Sequence, residues 1–283
     1  MIWLESKPIV EKMKEEDRNA VQALGFSPRL VIVWVGENAV IEKFIKIKKR
    51  YASEVGVTVR ENHVPADILG NALRALLYGI VHEPEGQPPN HGVVVQLPLP
   101  GHIDEATIFG AITPGKDVDM LTPLLTGKFL EGKSPWLPPV VAAIEALLRY
   151  YTISVRGKTA VVVGQGRLVG RPAAIWLGQQ GARVFCTDKD DPQLAVAVRM
   201  ADILIAGAGN AQRCITGDML KEKVVVFDAA TSEAKDGMIV GNVDIASSQE
   251  KVFAITPAKG GIGPLTVAFL IRNTIKAAMM RKN

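Results

Sequence analysis

The chain has 283 residues, 48% of them hydrophobic and 22% charged, an ordinary balance for one large or two modest globular domains. Its net charge of +4, from 33 basic and 29 acidic residues, is spread without aromatic-basic interleaving, which argues against a nucleic-acid partner and suits small anionic substrates. No apolar run approaches the ~20 residues of a membrane helix, charges follow Met1 at once with no apolar leader, and two cysteines are too few for a disulfide framework, so the expected compartment is the reducing cytoplasm.

The first half alternates between helical and strand patterns. A helix is predicted from Lys7 to about Leu24, then an apolar strand, RLVIVWVG (Arg29 to Gly36). Next comes a basic helix, FIKIKKRYASEVG (Phe44 to Gly56), in which Lys46, Lys48, Lys49 and Arg50 crowd together and no acid appears before Glu54. VTVREN (Val57 to Asn62) alternates at period two, and a helical pattern runs from about Leu69 to His82. A Pro/Gly-rich loop, PEGQPPNHG, leads into the buried-strand run VVVQLPLP. Strands alternating with helices indicate parallel sheet and α/β architecture.

SPWLPP (Ser134 to Pro139) reads as a hinge opening a helix that carries Val140, Ile144, Leu147, Leu148 and Tyr151. A second α/β unit follows: TAVVVGQGRLVGRP, ARVFCTD, a helical pattern to Met200, ADILIAGAG, a short helix and KVVVFDAA. PLTVAFLIRNTIKAAMMRKN is predicted to be one amphipathic helix.

Five segments carry chemistry. In AVVVGQGRLVG a strand runs into Gly164, Gly166 and Gly170, spaced GxGxxxG before a helix. Gly164 permits the tight turn, Gly166 leaves room for a pyrophosphate, and the helix start offers N–H groups and a positive dipole end. Asp188, at the end of the next strand, suits ribose hydroxyls and so NAD; Arg167 and Lys189 suit the 2′-phosphate of NADP. These residues alone leave that choice open, and the plainer alternative is a strand-helix corner whose glycines serve packing.

Gln96 stands at the carboxyl end of a strand, where α/β sheets bind ligands, or is a structural tie. PGKDVDMLTP offers Lys116, Asp117 and Asp119; with no His or third carboxylate nearby a metal is not expected, and an Asx turn is the plainer reading. ITPAKGGIGPLT sets Gly260, Gly261 and Gly263 between Pro257 and Pro264, with Thr266 able to cap the last helix. In the basic helix, Phe44, Lys48 and Tyr51 share a face with Ile41 and Val55, whereas Lys43, Lys46 and Arg50 point elsewhere and Lys49 is borderline. A solvated charged face is the competing reading.

Together and in this order, VVVQLPLP, PGKDVDMLTP, VVVGQGRLVGRP and ITPAKGGIGPLTVAFLI resemble the bifunctional methylenetetrahydrofolate dehydrogenase/cyclohydrolase family over nearly the whole chain. The resemblance implies an N-terminal α/β catalytic domain (1–138, completed by 264–283) and a Rossmann-type domain (139–263), with a folate cleft between them and homodimers paired through the Rossmann domains. It implies hydride transfer from 5,10-methylenetetrahydrofolate to NADP+ (NAD+ being the other possibility), then hydrolysis of the methenyl product to 10-formyltetrahydrofolate. Lys48 falls on the family's catalytic lysine, Gln96 on the glutamine that tunes it and Asp119 on the acid that anchors the pterin. Phe44, Gly260, Gly261 and Pro264 are the further substrate-side candidates. Gly164, Gln165, Gly166, Arg167, Gly170, Asp188, Lys189 and Thr231 are the cofactor-side candidates.

The chain departs from the family pattern where Phe44 replaces a tyrosine and where Gln165-Gly166 replaces Arg-Ser in the phosphate turn. It departs again where Ala230-Thr231-Ser232 replaces Gly-Ile-Asn and Pro257-Ala258-Lys259 replaces Pro-Val-Pro. These changes raise a second reading: a weakened relative that binds nucleotide or folate, or a dehydrogenase with little cyclohydrolase activity. The retained Lys48, Gln96 and Asp119 oppose it.

Overall fold

Two parallel sheets organise the chain. The computed structural model describes residues 1–83, 86–209, 212–230, 232–233 and 239–282. The elements begin with β1 (Ile2–Trp3), α1 (Lys7–Leu24), β2 (Arg29–Val35), α2 (Ala39–Val55), β3 (Thr58–Val64), α3 (Gly70–Val81) and β4 (Gly92–Val95). Next come α4 (Glu105–Phe109), α5 (Pro123–Leu130), α6 (Pro139–Tyr150), β5 (Thr159–Val163), α7 (Gly170–Gln179), β6 (Arg183–Thr187), α8 (Leu194–Arg199) and β7 (Ile203–Ala206). The chain ends with β8 (Val224–Asp228), β9 (Ser232–Glu233), β10 (Ile239–Val240), α9 (Ile245–Ser248), β11 (Val252–Ile255) and α10 (Ile262–Lys282). The short helix expected between β7 and β8 is a single 3-10 turn, Gly217–Met219.

The chain divides into two units, one of Met1–Val10 with Val140–Thr266, the other of Glu11–Pro139 with Val267–Asn283. The amino terminus differs from the boundaries expected from sequence. Ile2 and Trp3 pair in parallel with Ala254 and Ile255, so residues 1–10 join the unit of Val140–Thr266 rather than residues 11–138. Two residues are too short a run for a period to register.

In the second unit the sheet order is β3-β2-β4, all parallel. The central strand β2 reads RLVIVWV because both of its faces are covered; Leu30 to Val35 are all buried. Leu73, Leu77 and Ile80 of α3 pack on Val31, Val33 and Val95. Helix α2 starts at Asn38, whose side chain accepts from Val40 N and Ile41 N at 3.0 and 3.1 Å. It stops at Gly56, whose φ of 83° only glycine adopts without strain.

Helix α10 is not the amphipathic helix the sequence suggests. Leu265, Ala268, Ile271, Ile275 and Ala278 are buried, and so are Val267, Leu270, Asn273, Thr274 and Ala277. The buried Asn273 is satisfied by donating to Val118 O and Leu137 O at 3.0 and 3.2 Å. Thr266 does not cap it either. It sits inside the helix and its hydroxyl donates to Ile262 O at 3.1 Å.

In the first unit a six-stranded parallel sheet runs β1-β11-β8-β7-β5-β6. The order reverses between β5 and β7, the switch point at which open α/β sheets bind ligands beyond their strand ends. Gly164 follows β5 there with φ 87°, and an added Cβ would lie 2.5 Å from Gly207 O. At Gly170 an added Cβ would lie 1.7 Å from Gly164 O, a clash that only backbone movement relieves. Gly170→Ala therefore displaces the turn, and we expect its Kd for NADP+ to rise at least about tenfold, on the order of 1.4 kcal/mol, by calorimetric titration.

Candidate active site

Helix α2 and the ends of β4 and the Lys116–Met120 loop bring three side chains together. Gln96 follows β4 and extends its ladder, its N–H donating to Val33 O at 2.8 Å. Its side-chain Nε2 donates to Leu97 O at 3.0 Å, which fixes the amide orientation. The remaining Oε1 accepts from Lys48 Nζ at 2.5 Å.

The two acids of the loop separate by role. Extended backbone sends alternate side chains opposite ways. Asp117 is buried and accepts from Leu121 N at 3.1 Å and Thr122 N at 2.7 Å, while its carbonyl takes the Trp136 indole N–H at 3.1 Å. This is the Asx turn, and the positive φ of Met120, 64°, belongs to it. Asp119 is left half-buried, and its carboxylate accepts no hydrogen bond among the described residues. Burial pushes it up to about 6; the Lys48 charge pulls it down and Asp117 adds to the rise. Burial also lowers Lys48 from the usual lysine range, with Asp119 opposing.

Along α2, Ile41, Ile45, Tyr51, Ala52 and Val55 are buried, Phe44 and Lys48 half-buried, and Lys43, Lys46, Lys49 and Arg50 exposed. Lys49 pairs with Glu61, and Arg50 with Glu54 at 3.1 Å. The basic face is thus mostly a solvated one, with Lys48 turned away from it. Tyr51, one turn on, donates to Asp17 at 3.0 Å, and Asp17 takes Arg272 Nε at 2.7 Å, tying α2 to α1 and α10. Sequence reasoning did not single out this tie. Its signal, an acid on α1 and an arginine on α10, lies over 250 residues apart.

At the phosphate turn Gly164 and Gly170 are buried, Gly166 is exposed with open space where a Cβ would stand, and Arg167 is half-buried. No side chain caps the start of α7. An open glycine at an uncapped helix start fits a pyrophosphate. Gln165 is turned inward. Its amide donates to Val162 O and Gly164 O at 3.3 and 3.1 Å, so it stiffens the turn and leaves only main chain toward a cofactor. Asp188 and Lys189 are exposed past β6; Asp188 Oδ1 accepts from Lys189 N at 2.7 Å, and the Lys189 ammonium pairs with Asp190. Thr231 lies outside the described residues. Asp228, which sequence reasoning passed over inside VVVFD, shapes the neighbouring strand ends. It is buried, accepts from Ala230, Asn242 and Val243 N–H groups at 2.9–3.2 Å, and is pushed up to about 6 by burial.

Gly260, Gly261 and Pro264 belong to the nucleotide-binding unit, not to the one holding Lys48, Gln96 and Asp119. Gly260 O accepts from Ser6 N and Oγ at 2.9 and 2.7 Å, and a Cβ on Gly261 would lie 2.4 Å from Pro257 O. Among the described residues no three His, Cys, Asp or Glu side chains are grouped to hold a metal ion, and no helix is long and apolar enough to cross a membrane.

Residues 4–119 match the catalytic domain of tetrahydrofolate dehydrogenase/cyclohydrolase, and residues 138–282 match its NAD(P)-binding domain. The bifunctional protein FolD of Oceanobacillus iheyensis is 35% identical over 278 residues, 97% of this chain and 96% of that protein. The crystal structure of the FolD methylenetetrahydrofolate dehydrogenase/cyclohydrolase from Campylobacter jejuni superposes with a TM-score of 0.92 at 35% identity, covering 99% of each chain. That of the Trypanosoma brucei enzyme, complexed with NADP cofactor and inhibitor, gives 0.93 at 27% identity over 100% of this chain and 99% of that one. With both domain models matched in order and relatives of this identity spanning the whole length, the chain belongs to the tetrahydrofolate dehydrogenase/cyclohydrolase family.

Proposed function

We propose that this chain oxidises 5,10-methylenetetrahydrofolate to the methenyl form with NADP+ and hydrolyses that form to 10-formyltetrahydrofolate, using Lys48, Gln96 and Asp119. The observation that carries the site is the Lys48–Gln96 hydrogen bond of 2.5 Å beside an Asp119 carboxylate that accepts from no donor among the described residues. A half-buried acid without a partner is costly unless a ligand supplies the donors. The pterin's amino and ring N–H groups are such a pair, and Asp119 accepts from both. Phe44, one turn before Lys48, offers its ring for stacking.

Bound NADP+ supplies the hydride acceptor. Lys48, lowered by burial from the usual lysine range, gives up its proton more readily and exchanges it with the water that attacks the methenyl carbon. Gln96 Oε1 holds Nζ in one direction, and Gln96 is itself held by its bond to Leu97 O. On the cofactor side the Gly164–Gly170 turn receives the phosphates, and Arg167 and Lys189 bring positive charge for a 2′-phosphate. We read the protein further as a cytoplasmic homodimer. Its cysteines are free, and β6, an edge strand, carries a Phe185 ring that is 46% exposed.

One spectrophotometric assay tests the reading: purified protein, methylenetetrahydrofolate and either NADP+ or NAD+, following reduced cofactor and the methenyl chromophore. NADP+ is expected to be reduced, and the chromophore to rise and decay. A tenfold preference for NAD+ overturns the cofactor assignment, and no reduction of either overturns the reading. The pH profile carries its own sign. Asp119 accepts fully only above about 6, so kcat/KM for the folate is expected to fall as pH drops through about 6. Asp119→Asn, which cannot take that proton, should lose this acid limb.

A further inference from the structure

Helix α10 carries three consecutive residues, Arg272, Asn273 and Thr274, that meet three different neighbours in the unit of Lys48, Gln96 and Asp119. Successive side chains on a helix point ~100° apart, so a single turn can hold several elements at once.

Arg272 reaches the helix of Lys48 through α1. Its Nε donates to Asp17 at 2.7 Å, and its Nη2 donates to Met13 O at 3.2 Å and to Glu16 at 2.9 Å. Asp17 is 3% exposed, and its other carboxylate oxygen accepts from the Tyr51 hydroxyl at 3.0 Å. Tyr51 follows Lys48 by three residues on α2, so this buried charged chain of bonds fixes the turn that carries the lysine.

Asn273 reaches the loop of Asp119. It is buried, and its Nδ2 gives one hydrogen to Val118 O at 3.0 Å and the other to Leu137 O at 3.2 Å. The Val118 carbonyl and the Asp119 N–H belong to one planar peptide, so holding the carbonyl fixes the backbone from which the Asp119 side chain departs. The Trp136 indole does the same one peptide earlier, at Asp117 O. Asp119 is thus aimed by bonds that its own carboxylate does not make.

Thr274 sets the height of α10 over the sheet. It is buried, and a Cβ added at Gly92, the first residue of β4, would lie 2.9 Å from Thr274 Oγ1 and from Val118 Cγ1. The bare glycine lets helix and loop press directly on the strand that runs into Gln96.

We propose that Arg272 and Asn273 are positioning residues, which make α10 the common reference that sets Lys48 and Asp119 against each other. The inference rests on the catalytic reading of Lys48 and Asp119 given above. A small misplacement between two groups that must act on one substrate is costly in rate, which is what such a reference prevents.

The test is the rate of methenyltetrahydrofolate hydrolysis by the full chain, with kcat and KM separated. Tyr51→Phe keeps the ring and deletes the one oxygen that ties α2 to Asp17; kcat is expected to fall at least about fivefold with KM within about twofold. Arg272→Lys, which keeps the charge and loses the fork, should do the same. Asn273→Ala is expected to raise KM at least about tenfold, yet to raise it by less than about twofold further when added to Asp119→Ala, because the group it aims is then gone. A merely structural asparagine would multiply KM by the same factor in both backgrounds. Should Asn273→Ala fail to fold, Tyr51→Phe decides. If Asp119→Ala itself leaves KM within twofold of the parent, the catalytic reading fails and this inference falls with it. If Asp119→Ala raises KM but Asn273→Ala does not, if the two factors multiply, or if Tyr51→Phe hydrolyses at the parent rate, the positioning role alone is overturned.

Discussion

Lys48→Met is expected to abolish methenyltetrahydrofolate hydrolysis, with a loss of about a hundredfold or more, the usual range for a removed general acid–base group. Methionine keeps the length and apolar stem of the side chain and deletes only the group that exchanges protons. The controls are on the same helix. Lys46 and Lys49 are exposed, and Lys49 already pairs with Glu61. Lys46→Met and Lys49→Met should therefore change the rate by less than about twofold, since exposed pairs contribute little. Phe44 sharpens the test. It offers the ring of an aromatic stack but no hydroxyl to the proton network, so Phe44→Tyr should raise the ratio of cyclohydrolase to dehydrogenase activity. Hydride transfer depends on orientation more than on proton exchange and should survive in the parent. Hydrolysis by Lys48→Met at the parent rate would return this helix to a plain charged face.

Asp119→Ala is expected to raise KM for the folate by on the order of a hundredfold, because two hydrogen bonds to a charged acceptor at ~1.5–3 kcal/mol each are lost, less the cost of desolvating the acid. The effect should fall mainly on KM. Lys48 and Gln96 keep their bond in the variant, and without the opposing carboxylate Lys48 falls further below the usual lysine range. Initial rates at rising folate concentration separate the two constants. A Michaelis constant within twofold of the parent would remove Asp119 from the binding role. Asp117→Ala serves as the contrast: its two backbone bonds hold the loop, so it should lower the melting temperature as well.

What was legible in the sequence was what repeats at short range. The run RLVIVWV, the Gly164–Gly170 spacing and the alternation of strands with helices each announce themselves within a dozen residues. Lys48 could be separated from Lys46 and Arg50 by helix geometry, since only it follows Phe44 by four residues; Lys49 could not, and the structure separates them by the Glu61 pair. Asp117 and Asp119 looked alike in the sequence, because the choice between them depends on which one the N–H groups of Leu121 and Thr122 face. The rest needed long-range information. Strand β1 is two residues long and exists only because β11 lies beside it. Helix α10 looks amphipathic in isolation and is buried nearly all round because its neighbours come from distant segments, Val118 and Leu137 among them.

The division of the chain has a consequence for its synthesis. The nucleotide-binding sheet takes its edge strand from residues 1–10, and the other unit takes most of its last helix, α10, from Val267 onward. Neither unit is therefore a continuous stretch of polypeptide. A nascent chain emerging at ~5–20 residues per second cannot complete either one early. The first waits for β11, which holds β1, and the second waits until α10 has cleared the ribosome. Until then the surfaces that Leu270, Ile271 and Ile275 cover stand open, so a chain truncated before Val267 should go to chaperones and proteases rather than yield a usable half.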